Sequence, residues 1–178
     1  MYSQSAVSKG LALLFAGQII GLFTIIPFIS GILSLVSFIV TIIGFYALSK
    51  VNHDYNNAFA LVIANLVIGI LMLIFSSGFL NDVLSIVSTI IDFLVVYLVC
   101  NTTAGYLSGV NERLVSRAGF IWRMYLICMI VILACTVLAM IPFMYLIAGV
   151  IIVITAIVQL VSSILYIMFL YQSQKALA

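Results

Sequence analysis

The stretch STIIDFLVV, residues 88–96, sets one carboxylic acid, Asp92, in a run of side chains that otherwise do not ionise. An acid inside an apolar helix is costly to bury and marks, by default, a proton or substrate site. Three uncharged hydrogen-bonding residues stand in similar surroundings: Gln18 in GQIIG, Thr41 in IVTIIG and Asn65 in VIANLV. Together Asp92, Gln18, Asn65 and Thr41 form a candidate polar site able to exchange a proton or hold a small polar solute. The same residues could instead serve as hydrogen-bonding glue between helices, and that packing role is the commoner one.

Other chemistry finds little support. The single histidine, His53, sits in KVNHDYNN beside Asp54, where a solvated turn is expected. One His without paired thiolates does not make a zinc site, so no metal is expected. Cys100, Cys128 and Cys135 lack the spacing of a redox or metal motif and read as small apolar residues. An intramembrane aspartyl protease needs two acids at depth, and only Asp92 is available. No glycine-rich phosphate loop occurs, so neither cofactor nor enzyme activity is expected.

The elements that must carry these residues follow from composition. Of 178 residues, 67% are hydrophobic and 6% charged, a balance that leaves lipid as the only reasonable solvent. Residues 10–49, 58–81 and 124–174 carry no full charge, and about 20 apolar residues at 1.5 Å rise cross the hydrocarbon core. Pro27 in IIPFIS and Pro142 in MIPFM divide the first and last blocks, because proline ends a helix or forces a turn at the close of a span. The expected fold is all-α: a single polytopic membrane domain, a bundle of six transmembrane helices built as three hairpins. The spans are expected at about 10–27, 29–48, 58–79, 83–103, 119–141 and 144–171.

Six spans place Lys9, Lys50, Arg113, Arg117, Arg123 and Lys175 on one face, leaving Asp82 alone in the turns of the other. Since cations near span ends are retained on the inside, both termini are expected in the cytoplasm, in what is expected to be a bacterial plasma membrane. No cleavable leader is expected, because the first apolar run is too long and leads straight into a second span. The net charge of +2 follows from this bias and does not point to nucleic acid. In SGVNERLVSRAGFIWR, read as a loop, Arg113, Arg117 and Arg123 with Trp122, and Tyr125 just beyond, suit contact with anionic lipid head groups. The Asn101-Thr102-Thr103 sequon is expected to be unused on that face.

Small and polar residues mark the faces where helices meet in lipid. Ser30, Ser34, Ser37, Thr41 and Gly44 form one stripe; Gly17 and Gly21 form another, able to serve an internal contact or a second copy of the chain. The third span offers Ala58, Asn65, Gly69 and Ser76, the fourth Ser85, Ser88 and Asp92, and the sixth Ala148, Thr155, Gln159, Ser162 and Tyr166. Measured from the cationic end, Gln18, Thr41, Asn65 and Asp92 lie at about 12–15 Å, and Gln159 at about 19 Å. Asp92 is therefore expected to face inward and meet Gln18, Asn65 or both. With no Lys or Arg at that depth, a neutral acid that donates and accepts hydrogen bonds is expected. The shared Ile-Pro-Phe at 26–28 and 141–143 is too weak to establish a repeat.

Two functions fit. The leading expectation is a compact bundle interacting with another membrane protein or with lipid, because no inverted repeat or charged pore ring is visible. The alternative is a small proton-coupled transporter or channel centred on Asp92.

Overall fold

A computed structural model describes residues 2–23, 30–75, 78–139 and 145–178. Among these residues it contains six helices: α1 (Tyr2–Leu22), α2 (Ser30–Ser49), α3 (His53–Ile74), α4 (Phe79–Leu107), α5 (Glu112–Ala139) and α6 (Tyr145–Ala176). All are long and apolar enough to cross a bilayer, and no strand occurs among the described residues. The chain is a polytopic membrane protein. Pro27, Pro142 and Ser76, and the side chains of Ser30 and Ala148, lie outside the described residues.

The helices pack as three hairpins, α1–α2, α3–α4 and α5–α6, closed into a ring by α2 on α3, α4 on α5 and α6 on α1. Hairpin one is the tightest. A side chain at Gly17 would strike the Thr41 hydroxyl and come within 3.2 Å of the Thr41 backbone nitrogen; one at Gly44 would come within 3.0 Å of the Leu14 nitrogen. Glycine at both places lets the backbones approach closely enough for Ser37 Oγ to donate to the Gly17 carbonyl at 2.8 Å. The GQIIG face thus serves a contact within the chain.

Four helices begin earlier than the expected spans, α1 at Tyr2, α3 at His53, α4 at Phe79 and α5 at Glu112. Asn52 caps α3 by accepting from the Asp54 amide at 3.0 Å, so His53 opens a helix and does not lie in a longer loop. The α5 helix starts at Glu112, about two turns before the expected span. Asn111 accepts from the Leu114 amide at 3.2 Å, and the Glu112 carboxylate accepts from the Gly109 amide at 2.9 Å. Leu114, Ala118, Ile121 and Cys128, all buried, then recur at helical spacing and hold this extension against the bundle. Most of the expected loop SGVNERLVSRAGFIWR is therefore helix.

The cations gather at one end, as the contacts between termini require. Ser8 Oγ donates to the Gln174 carbonyl at 2.9 Å and Arg117 Nη1 to Gln172 Oε1 at 2.7 Å, while Lys50 follows the end of α2. The core is concentrated in this same half: Val7, Leu11, Leu48, Tyr55, Val99, Leu107, Phe169 and Leu170 are fully or almost fully buried. Towards the other end the helices turn Ile32, Leu73, Phe79, Val150 and Val153 outward, each more than half exposed, which in a membrane means exposed to lipid.

Candidate functional site: a polar cavity at mid-membrane

Midway along α4, Asp92 Oδ1 accepts a 2.7 Å hydrogen bond from Asn65 Nδ2 of α3. The other end of the same amide is held as well, since Ser88 Oγ donates to Asn65 Oδ1 at 2.8 Å. Ser88 and Asp92 are one helical turn apart, so the two ends of a single asparagine engage one face of α4. This clamp fixes which way the amide points, and Asp92 itself lines the interior.

That interior is a cavity of about 680 Å³ lined by residues of all six helices and open on one side. Gln18 of α1, Thr41 of α2, Asn65 of α3, Asp92 of α4, Tyr125 of α5 and Gln159 with Ser163 of α6 turn polar groups into it. The four residues singled out by sequence thus line one space; Asn65 bonds Asp92, while Gln18 and Thr41 join it across the cavity. Gln159, expected somewhat deeper, lines it too. A second cavity of about 220 Å³ lies between α4, α5 and α6, and Asp92, Tyr125 and Gln159 border both. No Lys, Arg or His lines either space among the described residues.

Tyr125 departs from its expected place. It is not an interfacial anchor: Tyr125 Oη shares a 3.0 Å hydrogen bond with Ser163 Oγ, and its ring meets Tyr166 edge-on at 6.3 Å. The cause is the early start of α5, which carries Tyr125 about 20 Å along the helix and onto the face of Ala118, Ile121 and Cys128. Its inward position was legible from that 4-3-4-3 spacing once the helix start was known.

On the cationic side the cavity is closed. Leu14, Phe45 and Tyr166 form its floor, each at most 5% exposed. Below them Tyr55 Oη and Thr103 Oγ1 share a buried 2.8 Å hydrogen bond, Tyr55 stacks on Tyr106 at 6.3 Å, and Phe15 meets Tyr171 at 5.2 Å. Several layers of packed side chains thus separate Asp92 from the end where the cations sit.

Arg113, Arg117 and Arg123 are exposed on α5, outside this cavity. Arg123 lies over Trp122 at 5.6 Å, and Trp122 packs edge-on against Tyr97 at 5.4 Å. Cys100, Cys128 and Cys135 are buried free thiols, and among the described residues no cluster of three or more His, Cys, Asp or Glu could hold a metal ion. Compared with family models, curated proteins and solved structures, the chain matches none.

The clamp yields a prediction. Replacing Asn65 with Ala removes two interhelical hydrogen bonds, and polar contacts of this kind are worth about 0.6 kcal/mol each and at most roughly 1.7 in a membrane bundle. Asn65→Ala should therefore lower stability by about 1–2 kcal/mol in reversible unfolding from mixed micelles. No change would mean that the Asp92–Asn65 pair contributes nothing to packing.

Proposed function

We propose that the protein is a proton-linked carrier for a small solute, with Asp92 as the group that takes up and releases the proton. It stands in a bacterial plasma membrane with both termini and all the cations in the cytoplasm. The observation that carries this reading is the convergence of polar side chains from all six helices on one cavity that holds a single acid among the described residues.

A bundle held together by polar seams has no use for such a space, because interhelical glue works by close contact. The Asn65–Asp92–Ser88 cluster supplies that contact between α3 and α4, yet Gln18, Thr41 and Gln159 line an open volume of the size that holds small ligands. The carrier is therefore preferred to a purely interacting bundle. A carrier is also preferred to a channel, since the floor at Leu14, Phe45 and Tyr166 blocks a continuous water path. In this reading Arg113, Arg117, Arg123 and Trp122 rest against anionic head groups and fix the protein's depth.

The test is flux in proteoliposomes under an imposed pH gradient, read with a dye sealed inside. Wild type should dissipate the gradient faster than protein-free vesicles. Gly69 lines the cavity and a β-carbon there would meet nothing within 4 Å, so Gly69→Phe should enter the space, slow the flux several-fold and leave thermal stability almost unchanged. Wild-type vesicles no faster than empty ones, or full flux in Gly69→Phe, would remove the carrier reading.

A further inference from the structure

We infer that the solute is an amphipathic organic cation, with its charged head at Asp92 and its apolar chain laid along α3 towards the α2–α3 edge of the bundle. This deepens the carrier reading and rests on it.

The first argument is charge. The cavity contains one acid and, among the described residues, no base, so a cationic head is the only kind of charge it could neutralise. Aromatic residues from three helices, Phe38 and Phe45 of α2, Tyr125 of α5 and Tyr166 of α6, line the same cavity, and aromatic rings attract a cation where water is scarce.

The second argument is shape. Up to the level of Asp92 all six helices line the cavity. Beyond it, away from the cations, the lining among the described residues comes from Phe38 of α2, from Gly69, Ile70 and Leu73 of α3 and, level with Gly69, from Gln159 of α6. An axial vestibule would draw its walls from α1 and α4 as well, and among the described residues neither contributes there. The space instead leaves the bundle sideways, along about 12 Å of α3 between Asn65 and Leu73. Its rim is open to the bilayer, with Ile70 50% and Leu73 81% exposed. At the opposite end α2 and α3 are in contact, Tyr46 to Phe59 at 6.0 Å between ring centres. A polar pocket continued by an apolar groove that opens into lipid fits a molecule with a charged head and an oily chain.

The two halves of the site also supply the coupling. A cation on the Asp92 carboxylate and a proton on the same oxygen exclude each other. As the head group arrives, the O–H bond breaks and the proton passes to water in the cavity; when the cation leaves, a proton returns. One positive charge replaces another, so exchange carries no net charge and needs no further ion.

Decyltrimethylammonium is the probe, since its fixed charge cannot carry a proton across lipid by itself. Added outside proteoliposomes with a pH dye inside, it should drive saturable proton movement at least several-fold faster than tetramethylammonium, and decanesulfonate should drive none. An analogue with a diazirine in its chain should label residues 66–73 of α3 or Phe38, with less labelling as the pH falls and protons compete. The pH-dependent labelling uses wild-type protein alone and does not depend on any variant folding. Equal response to tetramethylammonium, labelling spread over the outer faces of α5 and α6, or labelling indifferent to pH would overturn the inference. If these fail while gradient-driven flux persists and Gly69→Phe blocks it, the carrier stands and only the solute class falls. If flux is absent as well, both fall.

Discussion

Asp92→Asn is expected to bring proton-linked flux down to the level of protein-free vesicles while the protein still folds. The substitution keeps the size of the side chain and an oxygen able to accept from Asn65 Nδ2, so the α3–α4 clamp survives. It removes the one carboxyl group that lines the cavity among the described residues. Insertion is not at risk either. An Asp at helix centre costs about 2.5–3.5 kcal/mol, whereas the twelve Leu, Ile, Phe and Val residues between Val83 and Thr103 return on the order of 5 kcal/mol. Loss of flux with unchanged melting therefore separates chemistry from structure. Flux retained in Asp92→Asn would mean that the acid is only a packing residue.

Gly17→Leu should be the most damaging single change to the fold. A β-carbon there meets Thr41 Oγ1 and stands 3.2 Å from the Thr41 nitrogen and 3.3 Å from the Ser37 carbonyl oxygen; the last two are backbone atoms and cannot swing aside. The helices must part, and the 2.8 Å bond from Ser37 Oγ to the Gly17 carbonyl goes with them. Overpacking costs about 1–3 kcal/mol and the lost hydrogen bond adds roughly 0.6. Thermal unfolding in detergent should show a clear loss, while Gly69→Leu, with nothing within 4 Å of its new β-carbon, should show almost none. Equal effects at the two glycines would contradict the α1–α2 crossing described here.

Both residues were visible in the sequence for different reasons. Asp92, Gln18, Asn65 and Thr41 stood out because polar groups are scarce in lipid, and equal distance from the cationic end put them at one level before any contact was known. The six-helix count and the shared side of the cations followed from the same scarcity of charge. The helix starts did not. Asn111 and Asn52 act as caps, but in loops read by composition alone a cap looks like any other polar residue, and so α5 and α3 begin before their expected spans. That displacement hid Tyr125, which belongs inside.

The position of the core was not legible either. In a soluble helix an apolar stripe reveals the buried face, but here Leu48, fully buried, and Ile39, 48% exposed, are equally oily, so polarity cannot tell protein from lipid. Why hairpin one packs tightly could be guessed from its glycines. That the bundle is sealed by Tyr55, Thr103 and their neighbours at one end and opens along α3 at the other depends on tertiary packing, and no spacing in the chain announces it.

Accessibility of the cavity tests the account most directly. In a background with Cys100, Cys128 and Cys135 replaced by Ala, single cysteines are introduced by Thr41→Cys, Gly69→Cys, Ile39→Cys, Lys50→Cys and Arg113→Cys and exposed to a small cationic thiol reagent. Thr41→Cys and Gly69→Cys should react, faster than the lipid-facing Ile39→Cys, while Lys50→Cys and Arg113→Cys should react from the same side of the membrane as each other. Inert thiols at positions 41 and 69, or labelling of positions 50 and 113 from opposite sides, would contradict it.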